Sequence, residues 1–599
     1  MDITRVFDVL DNLKETSSKT DILNCKENQP AGQGSKKWIS YSVTDFCDNV
    51  NYVSAGLLAL GLQKSDVAVI MANNRPEWNF VDYGVQQAAM TSVPVFPTIG
   101  ADDLRFILNH CEAKIIFISD KSIYQKLACM ENALPNLKFV YSFNKIEGVK
   151  HFSELIELGR EKLDLEKISR IKANVSENDL FTILYTSGTT GHPKGVMISH
   201  KGILSNVKSC QDLAPFETNW RALSFLPLNH VYERVLNTLY LFHSVSVYYA
   251  ENFETIGDNC REIHPQIFVA VPRILERVLE KICSAGDKLS GFKKKIFDLS
   301  ICLAEKYELD GANGGWYEFQ RKVCDVLIYS KWRDAVGGKI VCIVSGGAAL
   351  NPRIERIFSC AGLTLLQGYG LTETSVVIAV NHFGKNNIKF GTVGPVVENV
   401  EVKIAEEDGE ILMKGPNLMM GYYKSPEATA EAIDKDGWFH TGDVGVFIDN
   451  KFLKITDRKK ELFKTNAGKY ISPVALENKL KESRYVEQCM VIGDGQKFAS
   501  AIIIPNILNF KEYCKAGNIE WRGNEAMIKS EEITQLISDH VKQINKTLAP
   551  YEQLKRCKII SGFWSVESGE ITPKLSLKRK VIAAKYTETI NRIFAGEES

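Results

Sequence analysis

The chain has 599 residues, of which 45% are hydrophobic and 24% charged, the balance of a folded globular protein with several cores rather than a disordered or fibrous one. Lys+Arg and Asp+Glu both number 73, so no global charge argues for nucleic acid or an anionic surface as partner. Acidic residues interrupt every apolar run of the opening MDITRVFDVLDNLKETSSKTD, which argues against a secretory signal, and no segment reaches the length of a membrane span.

The first elements alternate. Residues 46–60 carry apolar side chains at helical spacing. DVAVIMANN (66–74) reads as a buried strand, and PEWNFVDYGVQQAAM as a helix with Pro76 in its first turn. TSVPVFP, DDLRFILNHCEA and KIIFISD repeat strand, helix, strand, which predicts layered parallel α/β structure. LFTILYT (180–186) is a strand. VLNTLYLFHSVSVYYA (235–250) carries Asn237 and His243, so it reads as buried helix and strand rather than a membrane span.

Residues 271–339 are rich in helix, with a basic patch at FKKKIF that reads as a solvated face. KIVCIVSGGAAL then gives a strand running into a glycine turn. Asn351 caps a helix with Pro352 at its first position and Gly362 past its end, and LTLLQGYG is the next strand and turn. Beyond about residue 452 the texture becomes charged and turn-like. SPVALENKL is a capped helix and EQCMVIGDGQKFASAIIIP a hairpin around residues 493–496. A boundary is expected near Thr456 and Asp457, with a smaller α+β domain following. The fourteen cysteines are scattered without a CxxC pair, the pattern of free thiols in a reducing compartment.

One stretch concentrates chemistry. YTSGTTGHPKG (185–195) sets hydroxyls at Thr186, Ser187, Thr189 and Thr190, glycines at Gly188, Gly191 and Gly195, and one cation, Lys194, directly after a strand. Glycines let backbone N–H groups approach an anion, and hydroxyls add donors without bulk. This is a phosphate cradle at a strand end, where α/β sheets bind ligands. It is not a Walker A loop, because the glycine that motif needs before its lysine is Pro193.

The loop resembles the phosphate loop of the AMP-forming adenylate superfamily, which includes acyl-CoA synthetases, firefly luciferase and peptide-synthetase adenylation domains. SGGAAL (345–350), QGYGLTET (367–374), GYY (421–423), GWFHTGD (437–443) and DRKKELFKTNAGKYISP (457–473) follow in that family's order. LPLNHVYER, VAVPRILERV, KTNAGKYISP and the helical insert after Val271 are similar to the long-chain fatty acyl-CoA synthetase branch. The resemblance implies an α/β protein: a large N-terminal AMP-binding domain of layered α/β subdomains plus a small β-structured subdomain (1–456), a hinge (457–464) and a smaller mobile α+β domain (465–599).

It also implies ATP-dependent activation of a long-chain fatty acid to acyl-AMP, with pyrophosphate released, then transfer to coenzyme A. Ser187, Gly188, Thr189, Thr190, Gly191 and Lys194 would hold phosphates. Thr186 and Glu373 match the Mg²⁺ positions, and Thr372 would donate to the α-phosphate. Gly346, Gly347, Ala348, Gln367, Gly368, Tyr369 and Gly370 would frame adenine. Asp443, assisted by Arg458, would hold the ribose, and His230 would sit near the reacting carboxylate. Lys460 and Lys469 would complete the nucleotide site from the hinge side, and Lys464 would serve thioester formation.

In one place the chain departs from the pattern. The family's adenylation lysine falls on Ser576, within TPKLSLKRK (572–580), and Lys574 would replace it if that segment is extended, since a shift of two keeps the face. Ser576 also keeps open a non-catalytic nucleotide- or acyl-binding relative, beside an adenylating ligase for another carboxylate or a carrier-protein thiol. The acyl tunnel is expected partly from residues 229–234 and 269–273. No nucleic-acid partner is expected. Localisation is expected to be cytoplasmic, with peripheral contact at the inner membrane face left open, as are chain-length preference and oligomeric state.

Overall fold

Strands Val67–Met71, Ile115–Ile118 and Cys342–Ser345 are buried at every position. Strands rich in Val and Ile and buried on both faces belong in mainly parallel sheets covered by helices, and the computed structural model contains two of these. It describes residues 2–27, 37–130, 133–186, 193–384, 386–459, 461–464, 470–565, 568–571 and 577–596, with residues 464 and 470 described for their backbone only.

The first eight-stranded sheet carries the predicted N-terminal alternation. Val67–Met71 pairs in parallel with Thr91–Pro94 and Ile115–Ile118, and Leu180–Thr186 joins beyond Thr91–Pro94. The helices Val43–Ala59 and Pro76–Gln87 fall where periodicity places them, the first closed by a Ser42–Asp45 capping box. In the second eight-stranded sheet Ile267–Ala270, Cys342–Ser345 and Thr364–Tyr369 run parallel and adjacent.

A four-stranded antiparallel sheet follows, from Glu401–Ile404, Glu410–Lys414, Phe439–Ile448 and Phe452–Arg458. Its last strand runs unbroken through residues 456 and 457 to Arg458, since Val444 pairs with Asp457 and Asp443 with Arg458. The smaller C-terminal domain has its own core around Val486–Ile492, Ala499–Pro505 and Leu554–Ile559, with the hairpin predicted at 493–496. All fourteen cysteines are free thiols. Among the described residues no helix is long and apolar enough to cross a membrane.

The helical insert comprises Pro272–Asp287, Gly291–Glu305, Gly315–Cys324, the π-turn Asp325–Tyr329 and Ser330–Ala335. Phe297 packs so closely on Gly286 that a Cβ there would lie 2.0 Å from its ring.

Candidate active site

The carboxyl ends of Cys342–Ser345 and Thr364–Tyr369 lie side by side, Ser345 opposite Gln367, and both strands turn at glycine. At Gly370 an added Cβ would sit 1.3 Å from the Val376 carbonyl oxygen, so no larger residue fits. These turns and the antiparallel sheet meet at Asp443. Its carboxylate is buried, accepts the Tyr369 hydroxyl at 2.7 Å and accepts Arg458 Nε at 3.0 Å. Burial raises the Asp443 pKa and Arg458 opposes the rise. Burial disfavours the Arg458 charge, but Asp443 and Glu461 outweigh it and raise its pKa.

Gly347, Ala348, Gln367, Gly368, Tyr369, Gly370, Asp443 and Arg458, eight of the expected nucleotide residues, line one cavity of about 1890 Å³. The same cavity is lined by Val271, Pro272, Ile274, Val278, Phe297 and Trp332, with Arg273, Glu276 and Lys281 among them.

Gly346 faces the other way: a Cβ there would lie 3.0 Å from the Tyr232 hydroxyl. Tyr232 opens the helix Val231–Phe242, whose N-cap is His230, with Nδ1 accepting the Tyr232 N–H at 3.1 Å. Tyr232 thus joins the helix that His230 caps to the glycine turn. Among the described residues the Tyr232 hydroxyl and Ser345 Oγ are buried without a hydrogen-bond partner.

A second group gathers around the phosphate loop. Thr186 and Lys194 face each other across the hairpin that carries it. Lys194 Nζ lies 5.0 Å from the centre of the Tyr422 ring, and the Tyr422 hydroxyl donates to Glu373 Oε1 at 3.0 Å. Thr372 is buried beside Glu373 in a short 3-10 turn. The turn then passes through left-handed backbone at Ser375 (φ 50°) and Val376 (φ 106°), a costly conformation for a β-branched residue. Two buried asparagines hold it. Asn206 Nδ2 donates to the carbonyls of Thr374 and Ser375, and Asn417 Nδ2 to those of Thr374 and Val377.

A hydroxyl and a carboxylate at Thr186 and Glu373 are the hard oxygen donors that suit magnesium, with phosphate and water completing the shell; the residues present fit that ion.

Several expected positions, Ser187, Gly188, Thr189, Thr190, Gly191, Lys460, Lys469, Lys574 and the Lys464 side chain, lie outside the described residues. One expectation needs correction. Asn229 and Arg234 do not line a tunnel. Asn229 donates to the carbonyls of Ile70 and Val95, and Arg234 is sealed in the core by Asp82, Thr182 and Ser92. Residues 572–576, with Lys574 and Ser576, lie between Ile571 and Leu577, which pair as an antiparallel bridge, and are themselves outside the described residues.

Sequence reasoning missed Glu355, whose Oε2 accepts Gln367 Nε2 at 3.0 Å and the Gly391 N–H at 2.8 Å behind the strand Thr364–Tyr369. It also missed Arg579, which forks onto Glu477 at 2.7 and 2.8 Å and reaches Glu461 at 3.1 Å. GYY was legible as a motif, but nothing local assigned Tyr422 to Glu373.

A family model described as AMP-binding enzyme matches residues 21–423, and one described as AMP-binding enzyme C-terminal domain matches residues 461–598. The chain belongs to the AMP-binding enzyme family. It is 31% identical to the long-chain-fatty-acid–CoA ligase FadD15 of Mycobacterium bovis, over 94% of this chain and 93% of the relative. It is 30% identical to long-chain-fatty-acid–CoA ligase 1 of Cavia porcellus, over 99% of this chain and 87% of that one. The adenylation domain of a carboxylate reductase from Mycobacterium chelonae shares the fold, with a TM-score of 0.75 at 20% identity over 99% and 91% of the two chains. The family's C-terminal match begins three residues after the strand that ends at Arg458.

Proposed function

We propose that this enzyme activates a long-chain fatty acid with ATP and passes it to coenzyme A. A carboxylate oxygen attacks the α-phosphorus, a C–O–P link forms, the α–β bond breaks and pyrophosphate leaves. The coenzyme A thiol then attacks the acyl carbonyl, a C–S bond forms, and AMP leaves with the C–O electrons. One observation carries the reading: Tyr369, Asp443 and Arg458 line the same cavity as the apolar side chains Ile274, Val278, Phe297 and Trp332 of the helical insert. The names of the relatives support it.

In this reading Asp443 accepts the ribose hydroxyls, and Tyr369, Gly346, Gly347 and Ala348 frame adenine. Lys194 and the loop 187–191 hold phosphates, and Thr372 donates to the α-phosphate. These groups are aimed where charge gathers in the transition state, the placement that lowers such barriers most. His230 orients the fatty carboxylate from the N-cap. Magnesium, when bound, would be held by Thr186 and Glu373 and would neutralise phosphate charge. The segment 457–464 acts as hinge for the small domain, with Lys460 and Lys469 on the nucleotide side. Lys464 serves thioester formation and Lys574 adenylation.

The test is pyrophosphate release by purified protein with acids from acetate to oleate, with and without coenzyme A. Palmitate or oleate should give higher kcat/KM than acetate or benzoate, and equal use of benzoate would sink the long-chain assignment. Lys464→Ala should still form acyl-AMP but transfer it slowly. Lys574→Ala should slow acyl-AMP formation by about two orders of magnitude and leave transfer intact.

A further inference from the structure

The helical insert is apolar on two faces. Its inner face is buried: the Tyr317 hydroxyl donates to the Leu303 carbonyl at 2.5 Å, the Tyr329 hydroxyl to that of Ser300 at 2.6 Å, and Cys324 is enclosed. The outer face of the same run is left in solvent. Trp316 is 73% exposed, Phe319 58%, Val323 45% and Val326 74%, with Leu327 beside them. Positions 316, 319, 323, 326 and 327 recur at helical spacing and form one stripe. The Trp316 and Phe319 rings stack at 5.6 Å. On the neighbouring helix Gly291–Glu305, Phe292 is 77% exposed and Leu299 46%, with exposed Lys295 between them at i+3 and i+7. Large apolar side chains exposed side by side along a helix face, rather than scattered singly, mark an interaction site.

We propose that this outer face docks on an anionic lipid bilayer. Two further observations choose that occupant. The first is charge. The acidic residues of Gly291–Glu305 and of residues 315–329 are Asp298, Glu305, Glu318 and Asp325, and each is engaged by a cation: Lys294, Arg353, Arg321 and Arg333. Lys293, Lys295 and Lys322 are exposed and have no ion pair among the described residues. The stripe therefore presents aromatic and aliphatic side chains rimmed by free lysines. Lysine is depleted at protein–protein interfaces, whereas lysines beside tryptophan and phenylalanine are how a helix sits in the headgroup layer of an anionic membrane.

The second is continuity with the cavity. Phe297, Ile328 and Trp332, on the inner side of this same helical insert, line the cavity. Docking the outer face would set the cavity's helical wall against the bilayer, where a long acid resides. This part rests on the fatty-acid reading; the docking surface itself does not need turnover to be seen.

The experiment is co-sedimentation of the full chain with phosphatidylcholine vesicles, with and without phosphatidylserine. Wild type should partition onto the anionic vesicles, and added salt should weaken it. Trp316→Ser with Phe319→Ser should lower that partition by about tenfold or more. Lys293→Gln with Lys295→Gln and Lys322→Gln should remove the preference for phosphatidylserine. Both variants should melt at the wild-type temperature and turn over octanoate, which dissolves without a membrane, at the wild-type rate. Both should use vesicle-borne oleate more slowly. Equal partition by wild type and both variants would overturn the proposal. So would self-association without lipid that Trp316→Ser abolishes, because the face would then cover a second copy. Wild type that fails to turn over octanoate and oleate yet partitions as described would count against the ligase reading alone.

Discussion

The two sides of the cavity treat buried carboxylates differently. Behind the side built from the large sheets, Asp82 meets Arg234, but Glu233 and Glu355 meet neutral partners. Glu233 accepts from Ser224 and Asn237, and Glu355 from Gln367 and the Gly391 N–H. Burial pushes both carboxyls up to about 8. At the seam with the small domain, carboxylates meet arginine: Asp443 with Arg458, Glu477 and Glu461 with Arg579, Glu487 with Arg273. A fixed wall tolerates a neutral acid held by hydrogen bonds. A surface that binds a ligand or parts from its neighbour pairs each carboxylate with an arginine, and ion pairs near the surface can exchange one partner for another at little cost.

The largest effect expected from breaking this contrast is at Asp443. Asp443→Ala removes the acceptor proposed for the ribose and leaves Arg458 and the Tyr369 hydroxyl without their shared partner. kcat/KM for ATP should fall by about 100-fold, roughly 3 kcal/mol. Steady-state pyrophosphate release over an ATP titration reads it. A variant within threefold of wild type would remove Asp443 from the nucleotide site.

Next is the fixed wall. Glu233 has a folded pKa near 8 against an ordinary value of 4.5, so between those values the folded state holds a proton that the unfolded state has lost. Stability from this group is therefore complete below about pH 4.5 and is lost as pH rises toward 8, at a slope of at most about 1.4 kcal/mol per pH unit. Glu355 acts in the same sense. Glu233→Gln keeps an acceptor for Ser224 and Asn237 and removes the proton. Between pH 6 and 7.5 its melting temperature should fall less than that of wild type, a difference of about 2 kcal/mol at full slope. Parallel curves would mean that Glu233 is ionised throughout.

How far these contrasts could be read from the chain depends on range. Strand ends, glycine turns and caps are local, so SGGAAL, QGYGLTET and the Asn351 cap were legible. The strained backbone after Glu373 was not, because Asn206 and Asn417, which hold it, lie far away in sequence. The placement of residues 229–234 failed for a related reason. They adjoin a motif in sequence, but helix Val231–Phe242 turns Arg234 toward Asp82 in the core. Residues 456 and 457, next to the expected boundary, lie in a strand whose partner, Phe439–Ile448, is set by pairing that local signals do not show.

A smaller effect separates the two roles of Tyr369. Tyr369→Phe keeps the ring and removes the hydroxyl that donates to Asp443 at 2.7 Å. Loss of one hydrogen bond to a charged acceptor that keeps its arginine should cost about 1–2 kcal/mol, or five- to thirtyfold in kcat/KM for ATP. Tyr369→Ala should lose more, since the stacking face goes too. If the phenylalanine and alanine variants are equally impaired, the ring contributes nothing to the adenine site.

The smallest effect belongs to the seam. Arg273 joins the large domain to Glu487 of the small one and also meets Glu276 at 3.1 Å, and Arg484 meets Asp287 across the same seam at 2.7 Å. Each pair is partly exposed, so each contributes on the order of 0.2–1 kcal/mol. If the small domain turns about residues 457–464 between the half-reactions, as proposed, these pairs favour the arrangement seen in this structure over the other. Arg273→Met keeps the apolar stem against the cavity and removes the charge. It should shift the balance by at most about fivefold, and the two half-reactions should move in opposite senses. The one served by the present arrangement slows, and the other quickens, provided domain turning limits each. Single-turnover acyl-AMP formation and single-turnover transfer from isolated acyl-AMP separate them. Glu487→Gln should act alike, and the double variant no more than either single one, because both remove the same pair. If both half-reactions slow together, Arg273 supports the cavity wall and does not bias the hinge.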